Sequence, residues 1–186
     1  MKGIVFDLFE EVIVARHGAH AWNALLETAG LKGGYTALGS YDDEDLHLLV
    51  STAARALAME PDAMLRWFGQ RAMPILSRRF PAFFETHTST RGFLLSLNGI
   101  IHPEVRQLHP GANVPFFDFR DGDDGALLMG YHSSRGLCSL AQGLTEGAAG
   151  LFGESLDFRH LACVHRGDAS CLFHIGFQTL ADPAMR

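Results

Sequence analysis

Three sets of residues in this chain have types and spacings that can do chemistry. The first is His102, in the stretch LNGIIHPEVRQLHP at residues 97–110, a single imidazole on an otherwise apolar run immediately before Pro103. Such a histidine can fill one axial position of a metal or a haem; a half-buried histidine satisfied by a neighbouring carbonyl is the commoner occupant, and the residue alone allows both. The second is Tyr131, Ser133 and Arg135, alternate residues of YHSSR. In an extended segment alternate side chains share a face at intervals of about 6.6–6.8 Å, so the row offers two hydroxyls and a guanidinium on one side. Arg135 can hold a carboxylate bidentately while Tyr131 and Ser133 donate to it or to a second one, which suits the dianionic edge of a haem and equally describes a polar strand end at the surface. The third is Cys138, His160, Cys163 and Cys171. In a hairpin centred on Gly167, Cys163 and Cys171 would oppose each other with Cβ atoms about 4.5–5.5 Å apart. With Cys138 and His160 they make the Cys3His complement of a closed tetrahedral zinc site. His160 and Cys163 would lie on opposite faces of a regular strand, so a bulge has to unite them; the alternative is three buried free thiols.

Composition narrows the classes. A chain of 186 residues that is 47% hydrophobic can bury a core and still enclose a cavity. Fourteen Phe, six Met and two Trp suit a large core or the walls of a pocket for a flat apolar ligand. The formal net charge is −6 and the Lys and Arg residues form no cluster, which argues against nucleic acid and against an anionic membrane surface. Asp7, Glu10 and Glu11 interrupt the apolar opening MKGIVFDLFEEVIV, which therefore reads as neither a secretory signal nor a spanning segment. The expected location is the cytoplasm, where three cysteines are thiols or metal ligands rather than disulfides.

The elements that must position these residues are helical first. Val5, Leu8, Phe9, Val12 and Ile13 predict a helix over residues 2–17, followed by one over 20–29 and a glycine-rich loop over 30–40. Ser40 with Asp43 reads as a cap for a helix through Leu57, its acidic run favoured by the dipole. Pro61 opens another helix, which Pro74 should kink or end. Residues 91–101 form the helix that carries Leu94, Asn98 and His102 on one stripe, and Pro103 should break it. Beyond Pro110 the composition turns to strands: 114–120 and 126–132 as a hairpin, a helix over 137–151, then strands 155–164 and 169–177 around the turn at 165–168. The fold class is α+β, a helical N-terminal half packed with a C-terminal half that contains a four-stranded antiparallel sheet. One domain over 1–180 is expected, a helical subregion to about 60 and a mixed one beyond, with a tail at 181–186. The remaining histidines, His109 among them, have no identifiable partners.

Together the opening segment, IIHPEVRQLHPGA and Tyr131-x-Ser133-x-Arg135 resemble the H-NOX family, the haem nitric oxide/oxygen binding domains related to the haem domain of soluble guanylate cyclase. The likeness spans essentially the whole chain. It implies haem b buried between the two halves, His102 as proximal iron ligand, and Tyr131, Ser133 and Arg135 on the propionates. Pro115 then matches the family's proline that presses on the porphyrin. The family's distal pocket maps onto Val5, Phe9, Pro74, Leu140 and Leu144, none of which donates a hydrogen bond from its side chain. Nitric oxide, and more weakly carbon monoxide, should therefore bind ferrous haem with oxygen excluded. The helix weakened at Pro103 would convert release of His102 into movement. A zinc site on Cys138, His160, Cys163 and Cys171 occurs in one subset of the family, where it is linked to thiol oxidation, so a redox response is a second reading. Nothing in the chain resembles an output domain; the partner implied is a separate histidine kinase or cyclic-dinucleotide enzyme. The competing enzyme reading, a peroxidase, would need a distal acid-base group that this wall lacks.

Overall fold

Phe6, Phe9, Val12 and Ile13 recur along one face of the first helix, α1 (Ile4–His17), and all four are buried. The computed structural model describes residues 1–179. Helix α1 starts two residues later than its periodicity predicts, because Lys2 forms an antiparallel bridge with Ser40 and the Gly3 N–H donates to the Gly39 carbonyl at 2.9 Å. Helix α2 (Ala19–Ala29) ends on Gly30 in the left-handed conformation. Helix α3 (Asp43–Ala56) is preceded by Asp42 rather than capped by Ser40, and its acidic first turn faces the positive end of the helix dipole.

Helix α4 runs from Pro61 to Arg79 and does not end at Pro74. Its packing against α7 (Cys138–Leu151) overrides the local preference. A Cβ at Gly143 would collide with the Arg66 carbonyl, and one at Gly147 would lie 2.9 Å from the carbonyl of Gln70, which Pro74 deprives of its helical donor. Bare glycines thus let the two backbones touch over the turns that lead into the proline, from Arg66 to Met73, and hold the helix there.

The segment carrying His102 also differs from a helix broken at Pro103. Helix α5 (Thr90–Ser96), with the Ser89 hydroxyl accepting from the Gly92 N–H, passes into a π turn, Leu97–Ile101, and then into α6 (His102–Leu108). The His102 N–H donates five residues back, to the Leu97 carbonyl, and His102 keeps α-helical angles although a proline follows it. The missing N–H of Pro103 falls where the ladder has already left the i→i−4 pattern, so the chain stays helical.

Strands β1 (Phe116–Asp121), β2 (Leu127–His132), β3 (Glu154–Ala162) and β4 (Cys171–Thr179) form one antiparallel sheet in the order β1-β2-β4-β3. A register shift between His160 and Ala162 supplies the expected bulge. Two hydrophobic cores result, one among α1–α4 and one between the sheet and α7; Leu140 belongs to the first and Ala141 to the second. The architecture is the α+β arrangement read from the sequence. The expected tail at 181–186 lies outside the described residues. Among those described, no helix is long and apolar enough to cross a membrane.

Candidate functional site

A cavity of about 330 Å³ lies between the two cores, walled almost entirely by apolar side chains. Val5 and Leu8 reach it from α1, Phe68, Ala72, Met73 and Leu76 from α4, Leu140, Ala141 and Leu144 from α7. The π turn and α6 contribute Leu97, Ile101, His102 and Val105. Tyr131, Ser133, Arg135 and Pro115 border the same space. Phe9 stands behind this wall, its ring 5.0 Å from Phe68 and 6.2 Å from Trp22. Pro74 is likewise absent from the lining, being roughly 200° around the helix from Ala72 at 100° per residue.

The His102 ring lies 5.7 Å from that of Phe117. Its Nδ1 is sealed in protein without a side-chain partner among the described residues, which leaves Nε2 to meet a ligand in the cavity. Burial, reinforced by the charge of Arg106 and opposed by the Pro115 backbone, lowers its pKa to about 4. At neutral pH His102 is thus a neutral imidazole with a lone pair to offer, the form a metal needs.

The row Tyr131, Ser133, Arg135 converges on the cavity by a different route from the extended strand expected. Strand β2 stops at His132, and a turn follows in which Gly136 takes a φ of 63°, the left-handed region open to glycine. Burial pushes the Tyr131 phenol up, so it remains an O–H donor. The Arg135 guanidinium is fixed on two sides: Nε donates to Asp43 at 2.8 Å and Nη1 to the Asn113 carbonyl. Asp43 also pairs with the Met1 amino group at 2.7 Å. Burial pushes the Asp43 carboxyl up, but hydrogen bonds from that amino group and from Arg135 outweigh it and hold the carboxyl below its usual range. Sequence reasoning placed Asp43 only at a helix start; a contact 92 residues away leaves no mark on local pattern. Asn98 was placed only on the His102 stripe; its side chain donates to the Phe117 carbonyl and accepts the Phe117 N–H at 3.2 Å, bolting the π turn to β1.

The three thiols meet as expected. Sγ of Cys163 lies 3.7 Å from that of Cys138 and 4.0 Å from that of Cys171, and all three residues are buried. Burial, and then the neighbouring sulphurs, push the Cys138 thiol up to about 12; burial also raises Cys171. A soft cation would therefore displace protons on entering. His160 stands apart from the sulphurs: its Nε2 is paired with Gln142 Oε1 at 2.9 Å, one turn along α7 from Cys138.

A neutral histidine, a fixed guanidinium and two hydroxyls thus border one apolar cavity, and the fold around it is that of gas-binding haem sensors. The haem-NO-binding family model matches residues 2–160, and the chain belongs to that family. Among solved structures, it is similar to an H-NOX protein from S. oneidensis in the Fe(II)NO ligation state, with 29% identity over 96% of this chain and 100% of that one and a TM-score of 0.90. An NMR structure of an H-NOX domain from Shewanella oneidensis in the Fe(II)CO state is 30% identical over 96% and 99%, with a TM-score of 0.86. An unliganded Fe(II) H-NOX protein from K. algicida shares the fold at 22% identity, covering 98% and 99%, with a TM-score of 0.84. No curated protein matches. The domain is thus a haem sensor and not an enzyme.

Proposed function

We propose that this chain is a nitric oxide sensor that reports through a separate signalling protein. The observation that carries the reading is the pairing of a neutral, cavity-facing His102 with a wall from α1 and α7 that offers no free donor. The residues present fit haem b: His102 for the iron, Tyr131, Ser133 and Arg135 for the carboxylates, and Pro115 against the ring. When bound, ferrous haem supplies an open coordination position for a diatomic gas. Val5, Leu8, Leu140 and Leu144 are apolar, and the one hydroxyl near them, that of Thr145, is donated to the Ala141 carbonyl at 2.9 Å. Bound oxygen needs a donor for its partial charge, whereas nitric oxide does not, so nitric oxide is the ligand, carbon monoxide a weaker one, and oxygen is excluded.

Output begins at His102. The π turn behind it is fastened to β1 by Asn98, so a change in the hold on the imidazole is passed to both α6 and the sheet. The receiver is a partner such as a histidine kinase or a cyclic-dinucleotide enzyme in the cytoplasm, addressed by residues 1–180 acting as one domain. An anaerobic absorption spectrum of the ferrous protein, alone and with nitric oxide, tests the reading. A five-coordinate nitrosyl spectrum and no oxygen complex in air are expected; a stable oxygen complex, or no change with nitric oxide, would overturn it.

The thiol cluster favours a second, structural metal. The ligand atoms of Cys138, Cys163 and Cys171 lie within 4.8 Å of one another, a donor set that suits zinc. His160 is the fourth candidate and would have to leave Gln142 to join them. About one zinc per chain is expected by elemental analysis, falling on Cys171→Ser; a metal-free wild type would sink the zinc reading and leave a thiol redox response on the same residues to be tested by peroxide.

A further inference from the structure

A second histidine lines the haem cavity. His109 is 6% exposed, and its Nδ1 is sealed in protein with no hydrogen-bond partner among the described residues. Seven residues separate it from His102, which at about 100° per residue returns to nearly the same helix face, and at 1.5 Å per residue sets the two rings' backbones roughly 10 Å apart along α6. That is too far for both to serve one iron from one side, and it carries His109 towards the opposite end of the cavity wall. There the chain turns: the His109 carbonyl accepts from the Ala112 N–H at 2.9 Å, and the carbonyl of Asn113, one residue beyond that turn, accepts from Arg135. His109 is therefore joined through one turn to the guanidinium assigned to the haem carboxylates.

We propose that His109 is a further carboxylate-binding residue of the haem site, donating Nε2–H to a propionate beside Arg135. The inference rests on the reading of the Tyr131, Ser133 and Arg135 row as the carboxylate side of the pocket. The chemistry of the ring fits. A polar ring in an apolar wall is normally paired, and His109 makes no side-chain hydrogen bond among the described residues; with Nδ1 sealed, Nε2 is left to meet a group in the cavity. With Nδ1 shielded, Nε2 is the nitrogen of His109 that can meet a carboxylate, and it serves there as an N–H donor; His102 is assigned the opposite role, its Nε2 lone pair kept for the metal. Two histidines on one helix face thus take opposite roles, one as electron-pair donor to the iron and one as proton donor to the ring's acidic edge.

The test measures haem transfer from the ferric holoprotein to excess apomyoglobin for the parent, His109→Phe and His109→Gln, each loaded with haem or with haem dimethyl ester, whose carboxylates cannot accept from His109 as carboxylates do. With haem, His109→Phe is expected to lose the group about tenfold faster and His109→Gln to keep most of the parent's rate. With the ester, the difference between parent and His109→Phe should collapse, and apo His109→Phe should melt no lower than the apo parent because the unpaired ring is gone. A tenfold difference that persists with the ester would assign His109 to packing and overturn the proposal. Equal rates with haem would overturn it too. A changed ferric or nitrosyl spectrum in His109→Phe would make the ring an axial ligand instead, also against it. Failure of the parent to load haem at all would sink the underlying reading of the pocket rather than this one.

Discussion

At the scale of single residues, the proposed chemistry rests on His102 and Leu140. His102 has a folded-state pKa near 4, below the ordinary 6.5, so between those values the unfolded chain holds more protons than the folded one. Apoprotein stability should therefore rise with pH through that window and be lost as pH falls towards 4, by ~1–2 kcal/mol once partial solvent access is discounted. Denaturant titrations from pH 4 to 7 check this, and His102→Gly should flatten the slope. Leu140, 8% exposed on the cavity wall, is where a hydroxyl would alter ligand choice. Leu140→Tyr should improve oxygen affinity about ten- to hundredfold, the worth of a hydrogen bond to a charged acceptor, seen as an oxygen complex in the aerobic spectrum. His102, the Tyr131 row and the cysteines could be singled out from sequence because their chemistry is written in residue type, and the structure brings the first two to one cavity and the thiols to one cluster. Phe9 and Pro74 were carried over by position, and neither reaches the cavity wall, since which neighbour stands in front depends on the turn of each helix. His160 was legible as a ligand type but not in its hold on Gln142, a side-chain choice that spacing does not record.

Elements were legible wherever periodicity was strong; small departures occur at the starts of α1 and α3, and the larger ones at prolines. Pro74 reads as a kink or an end and Pro103 as a break in isolation, yet the chain stays helical through each, in one case by packing on α7 and in the other by a π turn. No local signal announces either remedy, because one is tertiary and the other is a shift of register by a single residue. The glycine seam between α4 and α7 makes the first remedy testable: Gly143→Ala should cost ~1–3 kcal/mol in urea unfolding, because the added methyl meets backbone rather than a movable side chain. The second is testable by length. Deleting Gly99 should let the turn close as ordinary α-helix with one residue fewer, drawing His102 back by about 1.5 Å and rotating it by roughly 35°, giving a helical protein by circular dichroism that holds haem less tightly. Gly99→Ala, whose methyl would meet open space, should keep its haem.

For the molecule as a whole, the α+β plan was legible from the change of pattern near Pro110, whereas the tie between the halves was not. Asp43 links the Met1 amino group to Arg135, and α4 and α7 join the two cores over long sequence separations. The cavity lies at that junction, bounded by residues of both cores. An occupant there would be a share of the protein's own interior: a chain without haem would fold around a gap, and haem supply would govern how much of the sensor survives. At free haem one hundred times its dissociation constant the folded state gains ~2.7 kcal/mol by mass action. Thermal unfolding of the apoprotein titrated with haem should show a midpoint that climbs with concentration, and a midpoint indifferent to haem would rule this dependence out. A cell short of iron would then lose the sensor itself, through turnover of unfilled chains, before it lost the signal the sensor carries.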